Sequence, residues 1–327
     1  MQVLIDRERI EQAPKGTVLT IGNFDGIHRG HQEILRAARQ AATAHKTTLT
    51  VMTFDPHPGM ILHPERAPGV LTPLPLKTWL LDAHGVDTLI VIGDSLSLLN
   101  LSPKDFVDQF LMAHLAPKAV VEGPNFSFGY GRSGSVQTLR ALGAQHGFDV
   151  IEVPFTQFQF ANDSRSGVCS SSLIRELLEK GQVGPASRLL TRPYRLIGRT
   201  IPGRGIGRTL GFPTANLDPA GQVIPAEGVY AGYVLAAESF DGVCRGQARR
   251  PAAFSIGRAK TFVTDHPLLL EAHLLESDVE DLSGKYLAMD FVEWIRGQQR
   301  FELRESLKTQ IGIDCEKARA ILSAGSL

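Results

Sequence analysis

The pattern of apolar residues changes once along this chain, and that change constrains the fold more than any single motif. Up to about residue 185, short apolar runs alternate with amphipathic stretches, which is typical of βαβ units around a parallel sheet. From Tyr194 to about Val292 the runs are short, rich in Val, Ile, Tyr and Phe, and separated by Gly and Pro, as in an antiparallel β-barrel. The length of 327 residues also favours more than one core. We therefore predict two domains, residues 1–185 and residues 186–327.

Five apolar runs predict the strands of the parallel sheet, at residues 18–21, 49–54, 89–92, 119–121 and 150–153. Between the first two runs, helical spacing predicts a helix whose apolar stripe comprises Ile34, Ala37, Ala38 and Ala41. A second helix follows the Ser102-Pro103 start signal and carries Phe106, Val107, Phe110 and Leu111. The barrel segment is followed by a terminal amphipathic helix, with Leu303, Leu307, Ile311, Ala318, Ile321 and Leu322 on its apolar side.

Composition excludes several classes of protein. Lys plus Arg equals Asp plus Glu at 34 each, so no global field favours nucleic acid or an anionic membrane as a partner. No apolar run reaches membrane-spanning length, and Asp6 interrupts the N-terminal segment before a targeting sequence can develop. Cys169, Cys244 and Cys315 are odd in number and widely spaced, which predicts reduced thiols rather than disulfides or a zinc site. We therefore expect a cytoplasmic protein.

GNFDGIHRGH, residues 22–31, lies between the first predicted strand and the first predicted helix. Ligands bind at this place in α/β sheets, because strand ends and helix N-termini converge there. Its glycines allow sharp turns and close approach to a phosphate, and His28 and His31 are spaced to share one helix face. The pattern therefore predicts an anion site. A tight turn with two surface histidines, or a metal site with Asp25 as third ligand, stays open as an alternative.

The same stretch resembles the GxFDGxHxGH signature of the nucleotidylyltransferase superfamily. With FDPHP (54–58) it resembles bacterial bifunctional riboflavin kinase/FAD synthetases in particular. Further matching stretches follow in the family's order: LTPLPLKTWLLDAHGVD (71–87), LSPKDFV (101–107), GPNFSFGYGRSG (123–134) and SSSLIRELLEKGQV (170–183). The resemblance implies an N-terminal Rossmann-like domain that adenylylates FMN to FAD with ATP and releases pyrophosphate.

In that family the two histidines stabilise charge on the α-phosphate of ATP, which implies His28 and His31 as catalytic residues. The implied nucleotide-binding residues of this domain are Gly22, Asp25, Gly26, Gly30, Ser170, Ser172 and Arg175. From its own chemistry, the Ser170–Arg175 hexapeptide is a serine-capped helix start with a guanidinium nearby, and a plain cap with a solvated arginine stays an alternative. The resemblance places the flavin side of the site at Pro56, His57, Pro58 and Asn125.

GRGIGRTLGFPTANL, residues 203–217, resembles the riboflavin kinase signature. It implies that Gly205, Gly207 and Gly211 cover nucleotide phosphates, whereas the residues alone indicate a glycine-rich turn before an edge strand. Thr214 and Asn216 alternate along an extended segment, so both oxygens can contact one Mg²⁺. In LEAHLLESDVEDLSGK (270–285), the family's catalytic base corresponds to Glu271, which without the resemblance is equally well an exposed carboxylate paired with an arginine.

The sequence departs from the family pattern at Asn125 and Ser135, where Asp is usual, and in FSIGRAKTF (254–262) at Ser255, Ala259 and Lys260. The basic stretch RGQARRP (245–251) is either a solvated loop or a contact to nucleotide phosphates. We predict an enzyme that phosphorylates riboflavin to FMN and adenylylates FMN to FAD, with ATP as co-substrate and Mg²⁺ in both steps. A monofunctional enzyme with one decayed site, and a non-catalytic flavin- or nucleotide-binding regulator, remain as alternatives.

Overall fold

The computed structural model divides the chain into two compact units, Met1–Pro68 with Lys77–Cys169 and Gly69–Leu76 with Ser170–Leu327. It describes residues 1–93, 96–159, 166–203, 206–219, 221–246, 248–258, 268–276 and 282–325, without the side chains of residues 7, 8, 206 and 208. Within the described residues, no helix is long and apolar enough to cross a membrane.

The first unit is built on a six-stranded sheet whose paired strands are all parallel. From edge to edge the strands are Gln2–Ile5, Thr88–Ile92, Leu49–Phe54, Val18–Ile21, Ala119–Glu122 and Asp149–Glu152. The predicted parallel sheet is therefore confirmed. The edge strand Gln2–Ile5 escaped prediction because only Leu4 in it is buried, so it forms no apolar run. The chain order reverses direction across the sheet at Val18–Ile21, which makes the carboxyl end of this strand a ligand-binding position.

Helices and short turns surround this sheet. The helical segments are Arg7–Gln12, Arg29–Ala44, Pro58–Leu62, Pro64–Arg66, Leu74–Ala83, Leu96–Leu99, Pro103–Asp105, Phe106–Leu115, Tyr130–Arg132 and Val136–His146. Two small antiparallel pairs join Ser127–Phe128 to Gly134–Ser135, and Gln157–Gln159 to Ser166–Val168.

The helix Arg29–Ala44 forms where predicted, but its buried face is rotated by about one residue. Leu35, Ala38, Ala41 and Ala42 are buried, whereas Ile34 and Ala37 are only partly covered. Apolar residues occur at both 34 and 35, so spacing alone could not decide which of the two lies at the centre of the contact.

The second predicted helix also begins at its expected cap, where the Ser102 hydroxyl accepts the backbone N–H of Asp105 at 3.1 Å. Phe106, Val107, Phe110 and Leu111 are all buried, as predicted.

The second unit is a closed barrel of six antiparallel strands. Around the barrel they are Tyr194–Ile201, Ala215–Pro219, Leu268–Leu274, Arg250–Arg258, Gly228–Ala237 and Tyr286–Arg296. Helices Ser171–Glu179, Val183–Leu190, Ile206–Thr209, Phe240–Arg245 and Arg304–Ser323 accompany it. The predicted barrel with a terminal helix is confirmed.

Aromatic rings fill the interior of the barrel. Phe291 is fully buried, and its ring centroid lies 5.2 Å from that of Tyr230, 5.0 Å from that of Phe254 and 6.4 Å from that of Tyr194. The pairs of Phe291 with Tyr230 and Phe254 are edge-to-face, and such pairs stabilise a core beyond the apolar area they bury.

The terminal helix covers an apolar patch with Cys315 and Ala318. Leu303 precedes this helix and its side chain is 67% exposed, so the apolar side begins later than its sequence spacing predicted.

Candidate functional site

The loop between strand Val18–Ile21 and helix Arg29–Ala44 is strained. Phe24 (φ 47°), Gly26 (φ 90°) and Ile27 (φ 42°) all have left-handed backbone. For Phe, and more so for β-branched Ile, this conformation costs about 1–3 kcal/mol per residue and persists only where packing enforces it. Phe24 and Ile27 are buried, so the interior fixes the turn. Strain of this kind clusters at ligand-binding sites, which supports a functional role for the loop.

The two histidines of the loop lie against each other. The rings of His28 and His31 stack with centroids 3.7 Å apart and planes 19° apart. His28 caps the helix, and its Nδ1 accepts the backbone N–H of His31 at 3.4 Å. A neutral ring that accepts at Nδ1 carries its proton on Nε2, so His28 presents an N–H donor on its far side. The surface-histidine alternative therefore does not fit His28, which is 5% exposed.

His31 is electrically neutral in this setting. Burial, then the neighbouring His28 and then Lys77, hold its pKa well below the ordinary value for histidine. Its Nδ1 is buried without a hydrogen-bond partner among the residues that the structure describes. A buried polar atom left unpaired is costly, so this nitrogen fits a position that a bound ligand completes.

Gly30 makes the close approach of His28 possible. A Cβ at this position would lie 3.2 Å from Cε1 and Nδ1 of His28 and 3.4 Å from the backbone oxygen of Cys169. The Cys169 sulfur in turn accepts the backbone N–H groups of Arg29 and Gly30, and burial raises the pKa of its thiol. Two N-terminal donors of the helix are thus occupied by the protein, so a phosphate must be bound chiefly by the preceding loop and the imidazoles.

Asn23 connects this loop to the FDPHP stretch. His57 Nδ1 accepts the backbone N–H of Gly59 at 2.9 Å, so the neutral ring donates from Nε2, which lies 2.9 Å from the terminal amide of Asn23. In the structure Asn23 Nδ2 faces this nitrogen, but two donors cannot pair, so hydrogen bonding assigns the flipped amide, with its oxygen toward His57. The other end of the amide is buried and has no partner among the described residues. Asn23 thereby presents an NH₂ group that can donate to a ligand.

The departures in the flavin-side stretch differ in their consequences. Ser135 caps the helix Val136–His146, and its hydroxyl accepts the backbone N–H of Thr138 at 3.3 Å. Serine and aspartate are equally good caps, so this change preserves the local structure. Asn125 is exposed in the loop that follows strand Ala119–Glu122, where it can hydrogen-bond but supplies no charge.

The serine cluster belongs to the second unit. Ser170 caps the helix Ser171–Glu179, and its hydroxyl accepts the backbone N–H of Leu173 at 3.2 Å. Arg175 donates from Nε to the carbonyl oxygen of Gly69 at 2.9 Å, and Ser172 is exposed.

In the barrel, three oxygen-bearing side chains come together. The Thr214 hydroxyl donates to Glu271 Oε1 at 3.4 Å, and Asn216 is the register partner of Glu271 on the neighbouring strand. Glycines line the same place. A Cβ at Gly203 would overlap the amide of Asn216, and one at Gly207 would lie 2.4 Å from the Phe212 carbonyl oxygen and 3.2 Å from Thr214 Oγ1. The backbone of residues 203 and 207 must therefore lie directly against the cluster.

This cluster has the donor chemistry that Mg²⁺ prefers. A hydroxyl, an amide and a carboxylate supply only hard oxygen ligands. In the described part of the chain, no three His, Cys, Asp or Glu side chains form a metal-binding group, and that part includes Asp25, His28 and His31. A protein-only metal site at the signature loop thus has no support from the geometry.

The remaining predicted features of the barrel give a mixed result. Gly211 has a left-handed backbone (φ 86°), whereas Gly205, Ala259 and Lys260 lie outside the described residues. Ser255 is the register partner of Glu271, and its hydroxyl accepts from Gln298 Nε2 at 3.0 Å.

The arginines of RGQARRP each contact a carboxylate. Arg245 lies 3.0 Å from Asp241, Arg249 lies 3.3 Å from Asp290, and Arg250 lies 2.8 Å from Glu276. Since all three have a protein partner, the solvated-loop interpretation fits this stretch better than a phosphate contact.

Sequence reasoning missed four residues of these sites: Asn23, Lys77, Cys169 and Gln298. Each reaches its partner across a long stretch of chain, as in the contacts of Gln298 with Ser255 and of Lys77 with Thr53. The only local signal is the position of Asn23 inside the signature.

Both halves of the chain match known families. Residues 10–166 match the FAD synthetase family and residues 190–322 match the riboflavin kinase family. The bifunctional riboflavin kinase/FMN adenylyltransferase of Escherichia coli K12 is 34% identical over 98% of this chain and 97% of its own length. The enzyme of that name from Haemophilus influenzae is 33% identical over 99% and 100%. The one from Bacillus subtilis is 32% identical over 94% and 93%.

A solved structure shares the complete architecture. It is described as a macrolide-efflux protein from Streptococcus pneumoniae and superposes with a TM-score of 0.82 at 26% identity. The match covers 98% of this chain and 99% of that one.

Proposed function

Because this chain belongs to the family of bifunctional riboflavin kinase/FMN adenylyltransferases, we propose that its two reactions occur at two separate sites, within residues 1–185 and 186–327. The enzyme phosphorylates riboflavin to FMN with ATP, then adenylylates FMN to FAD with a second ATP and releases pyrophosphate. One observation carries the proposal. The stacked pair His28 and His31 and the cluster around Glu271 lie in different units, and each unit therefore has its own set of reactive groups.

For adenylyl transfer, the loop of Gly22, Asp25, Gly26 and Gly30 receives the phosphates of ATP. An FMN phosphate oxygen attacks the α-phosphorus, and the bond from phosphorus to the bridging oxygen of pyrophosphate breaks. His28 donates from Nε2 to a non-bridging oxygen as negative charge develops there, while unpaired Nδ1 of His31 completes its hydrogen bonding with the bound nucleotide. No covalent nucleophile is required, so positioning and hydrogen bonding are the main contributions of the protein.

The flavin side of this site is formed by Pro56, His57, Pro58 and Asn125. His57 also fixes the amide of Asn23, so the flavin rim and the phosphate loop share one hydrogen-bonded connection. We further assign Ser170, Ser172 and Arg175 to nucleotide binding, because a capped helix start and a guanidinium are suited to phosphate.

For the kinase reaction, Glu271 accepts the proton of the riboflavin 5′-hydroxyl as its oxygen meets the γ-phosphorus of ATP. We assign the nucleotide phosphates of this site to Gly207 and Gly211, and on the family resemblance also to Gly205, which lies outside the described residues. Thr214 and Asn216 would hold Mg²⁺, which when bound neutralises charge on those phosphates. Supporting this assignment, the Thr214 hydroxyl lies 3.4 Å from the Glu271 carboxylate, so base and ligands share one place on the barrel.

The two rival interpretations are weakened by particular residues. Loss of one activity was suggested by Asn125 and Ser135 for adenylyl transfer and by Ser255, Ala259 and Lys260 for the kinase. Ser135 keeps the helix cap and Ser255 keeps a side-chain partner, whereas Asn125 supplies no charge, and Ala259 and Lys260 lie outside the described residues. A non-catalytic regulator has no need of a transition-state donor pair or a base. We also propose a cytoplasmic location, because the free cysteines are buried thiols that suit a reducing compartment.

One assay tests the proposal. Purified protein is incubated with riboflavin, ATP and Mg²⁺, and the flavins are separated by chromatography over time. We expect FMN to appear first and FAD to follow. FMN alone, or FAD only when FMN is supplied, would indicate one decayed site, and flavin binding without turnover would indicate the regulator. Omission of Mg²⁺ should abolish both steps, and an unchanged rate of FMN formation without a divalent cation would contradict Thr214 and Asn216 as metal ligands.

A further inference from the structure

Lys77 is a buried cation that the mechanism above does not use. It lies in the helix Leu74–Ala83, and 6% of its side chain is exposed. Its ammonium group donates one long hydrogen bond, to Thr53 Oγ1 at 3.5 Å. An ammonium carries three donors, and the other two have no partner among the residues that the structure describes. Burial of a charge that is so weakly hydrogen-bonded is expensive and calls for an explanation.

The charges around Lys77 belong to the signature loop and to FDPHP. Burial lowers the pKa of Lys77, while the Asp25 carboxylate and then the Asp55 carboxylate oppose this and favour the ammonium form. Lys77 also lies near enough to His31 to contribute to the low pKa of that imidazole. The hydrogen bonds give the same placement, because Thr53, which accepts from Lys77, donates its hydroxyl to the carbonyl oxygen of Asn23 in the signature loop at 3.1 Å.

A purely structural role would be to neutralise Asp25 and Asp55. Such a role accounts for the charge of Lys77 but leaves two of its donors unused in the interior. It also leaves the phosphates beside His31 facing only an unpaired ring nitrogen, on an imidazole whose pKa burial holds well below its ordinary value. Displacement of pyrophosphate builds up negative charge, which a positioned cation stabilises best in a water-excluded site.

We propose that Lys77 is a phosphate-binding residue of the adenylyl-transfer site, and that its free donors bind the ATP phosphates beside His31. This inference depends on the proposed role of His28 and His31. Lys77 holds the triphosphate in place and stabilises the charge that passes to the leaving pyrophosphate. Asp25 and Asp55 keep the ammonium group charged before ATP arrives, and Thr53 fixes its position.

The test compares Lys77→Met with Lys77→Arg and with the matched control Lys104→Met, whose lysine is exposed and pairs with Asp108. Steady-state kinetics measure FMN adenylylation, with kcat and the KM for ATP determined separately, and FMN formation in the same preparations serves as an internal control. We expect Lys77→Met to lower kcat/KM for ATP in adenylylation about 100-fold, as loss of one positioned donor does. Lys77→Arg should recover part of this loss, and FMN formation and Lys104→Met should be unchanged.

A double variant separates the proposed role from simple neutralisation. If Lys77 only balances the charges of Asp25 and Asp55, removal of the Asp55 charge should recover part of the activity, and Asp55→Asn combined with Lys77→Met should adenylylate clearly faster than Lys77→Met alone. If Lys77 binds phosphate, the double variant should stay as slow as Lys77→Met. Adenylylation by Lys77→Met within threefold of wild type, or a double variant more than threefold faster than Lys77→Met, overturns the inference. His28→Ala with His31→Ala is assayed in parallel: retained FAD synthesis there refutes the proposed site itself, whereas its loss beside an active Lys77→Met refutes only the role of Lys77.

Discussion

Gly30→Ala should slow adenylyl transfer while leaving the stability of the protein close to that of wild type. The added Cβ would lie 3.2 Å from two atoms of the His28 ring, whereas such contacts are normally about 3.5–4.0 Å. The ring of His28 must therefore move by at least about 0.3 Å, which disturbs its stacking on His31. A misplacement of about 1 Å in a catalytic group costs about 100-fold in rate. A shift of about 0.3–0.5 Å therefore predicts a loss of about 5- to 10-fold in kcat for adenylylation.

The chain offers a matched control in Gly312→Ala, within the helix Arg304–Ser323. A Cβ there meets nothing within 4 Å. This substitution should raise the free energy of unfolding by about 0.5–1 kcal/mol, because alanine loses less backbone entropy than glycine in a helix. Both activities should be unchanged in the control.

The assay measures FMN-to-FAD conversion at saturating ATP, FMN formation from riboflavin, and the thermal unfolding midpoint. Gly30→Ala should lose adenylylation while FMN formation and the midpoint stay close to wild type. The reasoning is refuted if Gly30→Ala adenylylates within twofold of wild type, or if Gly312→Ala loses as much activity.

Three further predictions concern residues of the first unit. Ser135→Ala should lower the free energy of unfolding of this unit by about 1 kcal/mol, because the helix cap is lost. Ser135→Asp keeps a capping side chain and should leave the thermal unfolding midpoint unchanged. Equal effects of the two substitutions would contradict the capping role. Asn23→Asp keeps the oxygen that accepts from His57 but replaces the NH₂ donor. We therefore expect kcat/KM for ATP in adenylylation to fall about 10- to 100-fold. An unchanged value would refute the assigned orientation of the amide. Burial raises the pKa of Glu122 well above its usual value, although its carboxylate accepts the Ile21 N–H at 2.6 Å. Since the folded pKa exceeds the unfolded one, the stabilisation from the protonated carboxyl is complete below about pH 4.5 and is lost as pH rises through the folded pKa. Glu122→Gln should therefore show a smaller fall of the unfolding midpoint than wild type as pH rises above about 4.5. An equal fall in both proteins would contradict the shift.

Much of the architecture could be predicted from the sequence because buried strands and helices give different patterns of apolar residues. Strands such as Val18–Ile21 are buried on both faces and give uninterrupted apolar runs. Residues 29–44 have helical spacing instead, so the helix is easily distinguished from the strands before and after it. The edge strand Gln2–Ile5 gives no such run, and the rotation of the first helix toward Leu35 depends on packing that periodicity does not encode.

The sites were predictable only where their residues are neighbours in sequence. His28 and His31 lie in one helical turn, so their spacing already implies contact. Thr214 lies just before the strand Ala215–Pro219 and Glu271 lies on the strand Leu268–Leu274, 57 residues further along the chain, and only the family resemblance joined them before the structure did. The contact of Asn23 with His57 depends on how the loops after two neighbouring strands fold together, and the contact of Lys77 with Thr53 joins a helix to a strand. The local sequence pattern predicts neither contact.

Reciprocal inactivation tests the central claim of two independent sites most directly. Glu271→Gln and the double variant His28→Ala, His31→Ala are each supplied with ATP and Mg²⁺, once with riboflavin and once with FMN, and the flavins are quantified by chromatography. Glu271→Gln should lose about 100- to 10,000-fold in FMN formation, as loss of a general base does, yet convert supplied FMN to FAD. The histidine variant should accumulate FMN from riboflavin and make no FAD. If both proteins remained folded and each lost both activities, the assignment of one reaction to each site would be wrong.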